Sequence, residues 1–182
     1  MASTGSQRPP GDSRPNVILT GLPGSGKTTI GRAAAKLLDW PHIDFDTEIE
    51  RREHASVQQI FERNGEAAFR SLEKELTREL VGCRGTMMSA GGGWITNTEA
   101  VALLRSTGRI IYLRAAPARL VERLAAARVR RPLLEVADPL AALERLYAER
   151  RELYEQADCI LDTEVVDRKE LIEQVRCYAA SL

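Results

Sequence analysis

The feature that most constrains this chain is a glycine-rich segment near its amino terminus, residues 21–28, which reads GLPGSGKT. It fits the template of Gly, four residues, Gly, Lys and Thr at every constrained position. The apolar run VIL at 17–19 comes just before it and is typical of a buried parallel strand. Apolar residues then recur at helical spacing from Ile30 to Leu38. A strand, a glycine loop and a helix in this order predict a phosphate-binding loop.

Such a loop holds phosphate through its main chain, because N–H groups converge there and the helix dipole favours negative charge. We therefore expect Gly24, Ser25 and Gly26 to bind the phosphates of a nucleoside triphosphate. Lys27 is expected to reach the β- and γ-phosphates, and the Thr28 hydroxyl to bind Mg²⁺. The alternative is a glycine-rich turn that matches by chance. The strand and helix on either side of the motif argue against it.

The composition limits the remaining possibilities. A length of 182 residues suffices for one domain with its own core. Lys and Arg number 26, and so do Asp and Glu, so the formal net charge is zero, which argues against a general nucleic-acid binder. Three cysteines, far apart in the sequence, favour reduced thiols in a cytoplasmic protein.

The sequence contains no apolar run long enough to span a membrane, so we expect no membrane segment. Residues 1–15 are rich in Ser, Gly and Pro and lack the apolar core of a signal peptide. We interpret them as a disordered tail.

Strand and helix patterns alternate along the rest of the chain. Helices are predicted between strands at 17–19, 42–44, 86–90, 109–113 and 159–162. This alternation predicts an α/β fold with a parallel sheet of about five strands, covered by helices on both faces. Because there is no internal repeat and no second phosphate loop, residues 16–182 are expected to form one domain.

Two carboxylates, Asp44 and Asp46, come at the end of the second predicted strand. In open α/β sheets, ligands bind at the carboxyl ends of the strands, which favours a functional role for both. Asp46 has an ordinary alternative as the N-cap of a helix that begins near Thr47. The sequence leaves both interpretations open.

A helix is predicted over 66–81, after a turn at 64–65 and a shorter helix that opens with a capping box at 56–59. Arg70 and Glu73 lie three residues apart on this helix and are therefore neighbours. An exposed ion pair is the common explanation for such a pair, and a binding site is the other.

Three glycines, Gly91, Gly92 and Gly93, follow the third predicted strand directly. They expose main chain that a ligand can approach closely, although a flexible loop explains them equally well. Thr96 is then expected to cap the next helix, with Glu99 as its partner.

Arg150 lies seven residues after Leu143 in a helix predicted over 139–157, so it returns to nearly the same apolar face. A guanidinium there needs an anionic partner, or it must reach outward to solvent. The sequence does not decide between these.

Residues 127–134, ARVRRPLL, are dense in arginine and broken by a proline. They form either a solvated surface loop or a lid that brings an arginine to the phosphoryl group of ATP. The absence of net positive charge disfavours a nucleic-acid-binding patch.

With these features in order, the chain resembles the shikimate kinases, small relatives of the nucleoside monophosphate kinases. The resemblance extends from about residue 16 to residue 163, and the ordered set of motifs is far more specific than the phosphate loop alone. Its motifs are GSGKTT at 24–29, DFD at 44–46, IF at 60–61, GE at 65–66, FR at 69–70, GGG at 91–93, RPLL at 131–134, and Arg150 four residues before Tyr154.

The resemblance implies phosphoryl transfer from MgATP to the 3-hydroxyl of shikimate, in aromatic amino-acid biosynthesis. On the nucleotide side it assigns Thr28 and Asp44 to Mg²⁺. It adds Thr29 to the residues that bind ATP. It places Lys27 and a lid arginine, Arg131, at the phosphates.

On the acceptor side, the resemblance implies that Asp46 binds shikimate and orients or deprotonates its reacting hydroxyl. Arg70 and Arg150 would hold the shikimate carboxylate, and the main chain of 91–93 would line the same pocket. Glu73 would orient Arg70.

The same resemblance implies a P-loop kinase fold with a substrate-binding insertion at about 46–75 and a lid at about 125–138. From the charge balance, the cysteines and the lack of an apolar span, we expect a cytoplasmic protein that binds neither nucleic acid nor membrane, and we expect it to be a monomer. Two positions depart from the family pattern. Glu152 replaces a proline, so the helix should continue unbroken and could rotate Arg150. Trp94 is bulky for a position beside a compact polyol.

Three other functions are compatible with the phosphate loop. A gluconate kinase also needs two arginines for a carboxylate, and a nucleoside monophosphate kinase would use them for a second phosphate. A nucleotide-binding regulator would bind ATP without an acceptor. The glycine triplet together with both arginines favours shikimate.

Overall fold

The computed structural model describes residues 14–127 and 138–182. Over these residues the chain is an α/β fold around a five-stranded parallel sheet with strand order β2-β3-β1-β4-β5. The strands are β1 Asn16–Thr20, β2 His42–Asp44, β3 Met87–Ser89, β4 Gly108–Arg114 and β5 Cys159–Asp162. The helices are α1 Lys27–Leu38, α2 Phe45–Glu53, α3 Val57–Leu80, α4 Thr98–Arg105, α5 Pro117–Ala127, α6 Pro139–Tyr154 and α7 Arg168–Ala180, with a 3₁₀ turn at Trp94–Thr96.

Helices cover both faces of the sheet, because alternate residues of the central strands point to opposite sides. In β1, Ile18 belongs to a core cluster with residues of α2 to α6. Its neighbours Val17 and Leu19 belong to a second cluster with residues of α1 and α7. Every residue of β1 is buried, as expected for the centre of a parallel sheet. The predicted fold class, a parallel sheet between two helical layers, is therefore confirmed.

The parallel arrangement brings the carboxyl ends of the strands to one edge. The glycine loop follows β1, the two aspartates follow or end β2, and the glycine triplet follows β3 closely. Ligands of open α/β sheets bind at this edge. The topology thus brings together the glycine loop at 21–28 and the glycine triplet at 91–93, which are far apart in sequence.

The structure excludes the cap alternative for Asp46 and corrects one predicted helix cap. Helix α2 begins at Phe45, and its N-cap is Asp44, whose Oδ1 accepts a hydrogen bond from the Thr47 N–H at 3.1 Å. Asp46 is therefore within the first turn and is not the cap. The prediction of Thr96 as a cap is wrong, because Asn97 caps α4 while the Thr96 hydroxyl donates to the Gly93 carbonyl.

Helix α3 joins the two helices that were predicted on either side of 64–65. Gly65 interrupts it, with φ 78° and ψ 171°, so the predicted turn is a kink between two helical halves. The predicted capping box is present, since Ser56 and Gln59 bond to each other's main-chain N–H groups.

Arg14, at the start of the described residues, is held in place. Its carbonyl accepts a hydrogen bond from Gly85, and its guanidinium lies 5.2 Å from the ring centre of Trp40.

All three cysteines carry free thiols. Among the helices at 14–127 and 138–182, none is long and apolar enough to cross a membrane. Residues 1–13 of the predicted tail, and Arg131 with most of the predicted lid, lie outside the described residues.

Candidate active site

The phosphate loop follows β1 and leads directly into α1. Gly26 caps the helix with φ 93°, a conformation that favours glycine. Lys27 is the first residue of α1, and its Nζ donates hydrogen bonds to the carbonyl oxygens of Gly21 at 2.8 Å and Leu22 at 3.0 Å. The ammonium group therefore lies against the loop, at the positive end of the helix dipole.

The second residue of α1 contacts the end of β2. The Thr28 hydroxyl donates to Asp44 Oδ2 at 2.5 Å, while the other carboxylate oxygen of Asp44 caps α2. A hydroxyl and a carboxylate side by side are oxygen donors of the kind that Mg²⁺ prefers. The described residues contain no cluster of three His, Cys, Asp or Glu side chains suited to a metal ion. The donor set fits Mg²⁺ held by few protein groups together with phosphate oxygens, which is usual for this ion in kinases.

The glycine triplet is the point where the remaining predicted residues meet. A Cβ at Gly91 would lie 2.5 Å from Glu73 Oε1 and 3.0 Å from Asp46 Oδ1, so both carboxylates lie against this glycine. A Cβ at Gly93 would overlap the guanidinium of Arg70. The glycines are therefore required by close packing rather than by loop flexibility.

Gly92 connects the triplet to both sides of the site. A Cβ there would lie 3.2 Å from Pro23 Cδ in the phosphate loop. Its carbonyl accepts hydrogen bonds from Tyr154 Oη at 2.6 Å and from Arg150 Nη1 at 3.1 Å. One residue thus joins the phosphate loop to helix α6.

Arg150 is buried at the position predicted from the apolar stripe. Only 6% of it is exposed, so it does not reach outward to solvent. Its Nε is buried and has no hydrogen-bond partner among the described residues. Helix α6 continues through Glu152 to Tyr154, as expected, yet Arg150 still faces the glycine triplet. The missing proline does not remove Arg150 from the site.

Arg70 is held by two carboxylates from its own helix. Its Nη1 donates to the fully buried Glu73 at 2.6 Å, and its Nη2 donates to the more exposed Glu66 at 2.7 Å. Because Glu73 is buried, this pair is not the exposed ion pair that the sequence also allowed. The contact fixes the guanidinium against Gly93.

Burial raises the pKa of the Glu73 carboxyl to about 7, although the charge of Arg70 and its hydrogen bond oppose the shift. The nearby Asp46 carboxylate raises it further. Glu73 Oε1 is buried without a hydrogen-bond partner among the described residues. A carboxyl in this position holds a proton more readily than an exposed one.

Trp94 lies in the core rather than in a pocket. It is fully buried, its Nε1 donates to the Thr77 hydroxyl at 3.1 Å, and its ring meets Phe45 edge-on. Trp94 begins the 3₁₀ turn that follows the glycine triplet, and its buried side chain anchors this turn in the core.

A cavity of about 680 Å³ runs along the phosphate loop. Its lining includes Lys27, Thr28, Asp44, Asp46 and Gly92. Arg70 and Arg150 are not among its lining residues; they contact the glycine triplet beside it.

The same cavity is also lined by residues that the sequence did not indicate. They are Arg123 and Leu124 of α5, Thr163 and Val166 after β5, and Arg168 of α7. Arg123 donates to the hydroxyl and the carbonyl of Thr163, each at 2.8 Å. The position of Thr163 just after a strand was an available signal, since polar residues there face the ligand edge. No local pattern marked Arg123.

Comparison with known proteins agrees with this geometry. The shikimate kinase family model matches residues 23–177. A shikimate kinase of Cupriavidus pinatubonensis is 44% identical over 151 residues, which cover 82% of this chain and 78% of that protein. The chain belongs to the shikimate kinase family. Its departures at Trp94 and Glu152 are therefore variations within this family.

Solved structures support the same family assignment. The structure of a shikimate kinase from Acinetobacter baumannii in complex with shikimate superimposes with a TM-score of 0.86 at 33% identity, covering 93% of this chain and 95% of that one. A gluconokinase from Sinorhizobium meliloti gives 0.59 at 15% identity, covering 92% of this chain and 93% of that one, which shows a shared fold alone. The gluconate kinase alternative is thus similar in fold, whereas the shikimate kinases are similar in sequence as well.

Proposed function

We propose that this chain transfers the γ-phosphoryl group of MgATP to the 3-hydroxyl of shikimate, giving shikimate 3-phosphate and ADP for aromatic amino-acid biosynthesis. The observation that carries the assignment is the glycine triplet, which packs against Asp46, Arg70, Arg150 and the phosphate loop at once. Acceptor and phosphate groups bound at these positions would be neighbours. Family membership supports the choice of acceptor.

The two arginines are suited to the shikimate carboxylate. Arginine forks match a planar carboxylate with paired hydrogen bonds, which lysine does not reproduce. The buried Nε of Arg150 has no acceptor among the described residues. A carboxylate bound beside the glycine triplet would supply an anion for this buried cation. Glu73 would keep Arg70 oriented toward it.

Phosphoryl transfer depends mainly on positioning and charge neutralisation. The main-chain N–H groups of 24–29 and the Lys27 ammonium would hold the phosphates, with Thr28 and Asp44 holding Mg²⁺. Bound Mg²⁺ would supply positive charge at the β- and γ-phosphate oxygens. Asp46 would orient the 3-hydroxyl toward the γ-phosphorus and accept its proton as the new P–O bond forms and ADP leaves.

The nucleoside would bind near Arg123 and Thr163, because these residues line the same cavity as the phosphate loop, together with apolar side chains such as Leu124. We assign the predicted lid at about 125–138, with Arg131, to closure over the phosphates. The predicted insertion at about 46–75 would bind the acceptor, and α2 and α3 fill this range.

We also propose that the protein works as a cytoplasmic monomer without nucleic acid. Three free thiols are typical of a reducing compartment, and a zero net charge gives no general attraction to polyanions. Sedimentation at several protein concentrations tests the monomer, and the absence of retention on a DNA or RNA column tests the rest.

The decisive experiment measures ADP release from MgATP with shikimate, gluconate, a nucleoside monophosphate or no acceptor. We expect shikimate-dependent turnover at about 1–100 s⁻¹, the usual range for kinases. Phosphorus NMR of the product should place the phosphate on the 3-oxygen. Turnover with gluconate alone would reject the acceptor assignment, and ATP binding without any acceptor-dependent turnover would favour the regulator.

A further inference from the structure

His42 lies outside the acceptor pocket and takes no part in the mechanism above, yet it connects to the phosphate loop. Its ring Nε2 is 2.9 Å from Ser89 Oγ, and the Ser89 hydroxyl donates to the Lys27 carbonyl at 3.1 Å. Since the single hydroxyl proton of Ser89 goes to a carbonyl, Ser89 must accept the hydrogen bond from His42. The Nε2–H tautomer of His42 follows from this arrangement.

This chain of contacts ties three elements together at one point. His42 begins β2, Ser89 ends β3, and Lys27 begins α1. The close approach depends on Gly31, where a Cβ would lie 2.8 Å from Ser89 Oγ and 3.1 Å from His42 Nε2. Glycine inside a helix is less favourable than alanine, by about 0.5–1 kcal/mol in general. The chain therefore accepts a weaker helix in order to bring α1 against this pair.

The atom held by the contact is well placed to affect phosphate binding. The Lys27 carbonyl belongs to the first turn of α1, the same turn that carries the Lys27 ammonium and the Thr28 hydroxyl. Two residues after His42 on the same strand, Asp44 accepts the hydrogen bond of Thr28. Strand β2 thus contacts this turn twice, once through Ser89 on the main chain and once directly on a side chain.

The contact requires an N–H group but no charge. Burial lowers the pKa of His42; Asp44 opposes this shift and Arg32 adds to it. Both the neutral Nε2–H form and the protonated form carry a hydrogen on Nε2. A neutral amide donor at the same position should therefore replace the ring.

We propose that His42 is a positioning residue of the phosphate site, acting through Ser89 on the main chain at Lys27. This inference rests on the proposed function for its meaning in catalysis, but its effect on nucleotide binding does not require an acceptor. His42 controls how α1 presents Lys27 and Thr28 to the phosphates.

The test compares H42L, which removes the donor, with H42Q, whose amide nitrogen can occupy the Nε2 position. Calorimetry with MgADP and steady-state kinetics with both substrates are measured for each variant. We expect H42L to raise the Kd for MgADP and the KM for MgATP by about 3- to 10-fold, the loss typical of one buried hydrogen bond. The KM for shikimate should change by less than about twofold, and H42Q should restore the Kd to within about twofold of the wild-type value.

S89A and the double variant H42L/S89A complete the test. Because His42 acts through Ser89, the double variant should bind MgADP no more weakly than S89A alone. Equal losses in H42L and H42Q, additive losses in the double variant, or unchanged MgADP affinity in S89A would overturn the proposal. A protein that binds MgADP but never phosphorylates shikimate would refute the proposed function and still leave this comparison decisive.

Discussion

Gly93 and Arg70 illustrate how single residues define the acceptor side of this site. A side chain at position 93 would overlap the guanidinium of Arg70, and the buried carboxylate of Glu73 holds that guanidinium in place. Neither residue type would be informative alone. Together they place a fixed arginine fork beside the glycine triplet, and such a fork is suited to a carboxylate.

Replacing Arg70 by lysine keeps the charge and removes the fork. We expect R70K to raise the KM for shikimate by about 10-fold or more, because a charged hydrogen bond contributes about 1.5–3 kcal/mol. The KM for MgATP should stay within about twofold. R78K is the matched control, since Arg78 lies on the same helix, is exposed and pairs with Glu99. A parallel rise in both KM values would contradict the carboxylate assignment.

Lys27 gives the corresponding test on the nucleotide side. K27M should lower turnover about 10²- to 10³-fold with both substrates saturating, because it removes a donor that would stabilise charge in the transition state. K36M, at the exposed end of the same helix, is the control and should retain turnover. Near-normal turnover of K27M in a coupled ADP assay would exclude the phosphate role.

We expect Glu73 to make a pH-dependent contribution to stability. Its pKa is about 7 in the folded state and 4.5 as the ordinary value, so the folded protein binds the proton more tightly. The free energy of unfolding should therefore fall as pH rises from about 4.5 to about 7 and level off above, by about 3 kcal/mol in all.

E73Q should flatten this dependence, because the amide does not titrate. E66Q is the control: Glu66 also pairs with Arg70, but it is largely exposed. Urea unfolding of all three proteins at pH values from about 5 to 8 provides the measurement. If the free energy of unfolding of the wild-type protein rises with pH over this interval, and E73Q shows the same pH dependence, Glu73 does not control the pH dependence of stability.

At the scale of elements, the kink in α3 sets the direction of the helical half that carries Arg70. Gly65 has φ 78° and ψ 171°, a region that glycine occupies almost alone. A Cβ there would meet no atom within 4 Å, so a substitution would act through main-chain strain only.

G65A should therefore lower the free energy of unfolding by about 1–3 kcal/mol and raise the KM for shikimate more than that for MgATP. G82A is a matched control, because its Cβ would also meet no atom within 4 Å and its φ is not positive. We expect little change in G82A by thermal unfolding. Equal effects of the two substitutions would mean that the kink imposes no special requirement.

At the scale of the whole molecule, Asp44 joins the cap of α2 to the proposed metal site, because its two carboxylate oxygens bond to Thr47 and Thr28. MgADP should stabilise the protein against heat, by about 2.7 kcal/mol at a ligand concentration about 100 times its Kd. Chelation of Mg²⁺ with EDTA should remove much of this gain. D44N should also lose much of the stabilisation by MgADP. Its stability without ligand should stay unchanged, because asparagine is also a good N-cap.

If EDTA does not change the stabilisation by the nucleotide, nucleotide binding does not depend on the metal. If D44N is much less stable than the wild-type protein without ligand, the charge of the Asp44 carboxylate is needed mainly for folding and not for metal binding. Differential scanning calorimetry with and without MgADP distinguishes these results.

The sequence indicated the strands, the phosphate loop and the order of the helices, because these depend on short apolar runs and on local spacing. It placed Arg150 on an apolar face and the turn at 64–65 for the same reason. Local spacing misplaced one helix cap and left another open: Asn97 rather than Thr96 caps α4, and Asp44 rather than Asp46 caps α2. Adjacent polar residues compete for a cap, and the direction in which the chain enters the helix decides between them.

The sequence by itself determined the reaction class, since residues 21–28 constrain the main chain to cradle phosphate and the ordered motifs specify the family. Only the tertiary structure decided how distant residues combine. It buried Glu73 against Gly91, placed Trp94 in the core and joined Arg123 to Thr163. These contacts connect positions on different elements, and their distances follow from sheet order and helix packing, which no local pattern encodes.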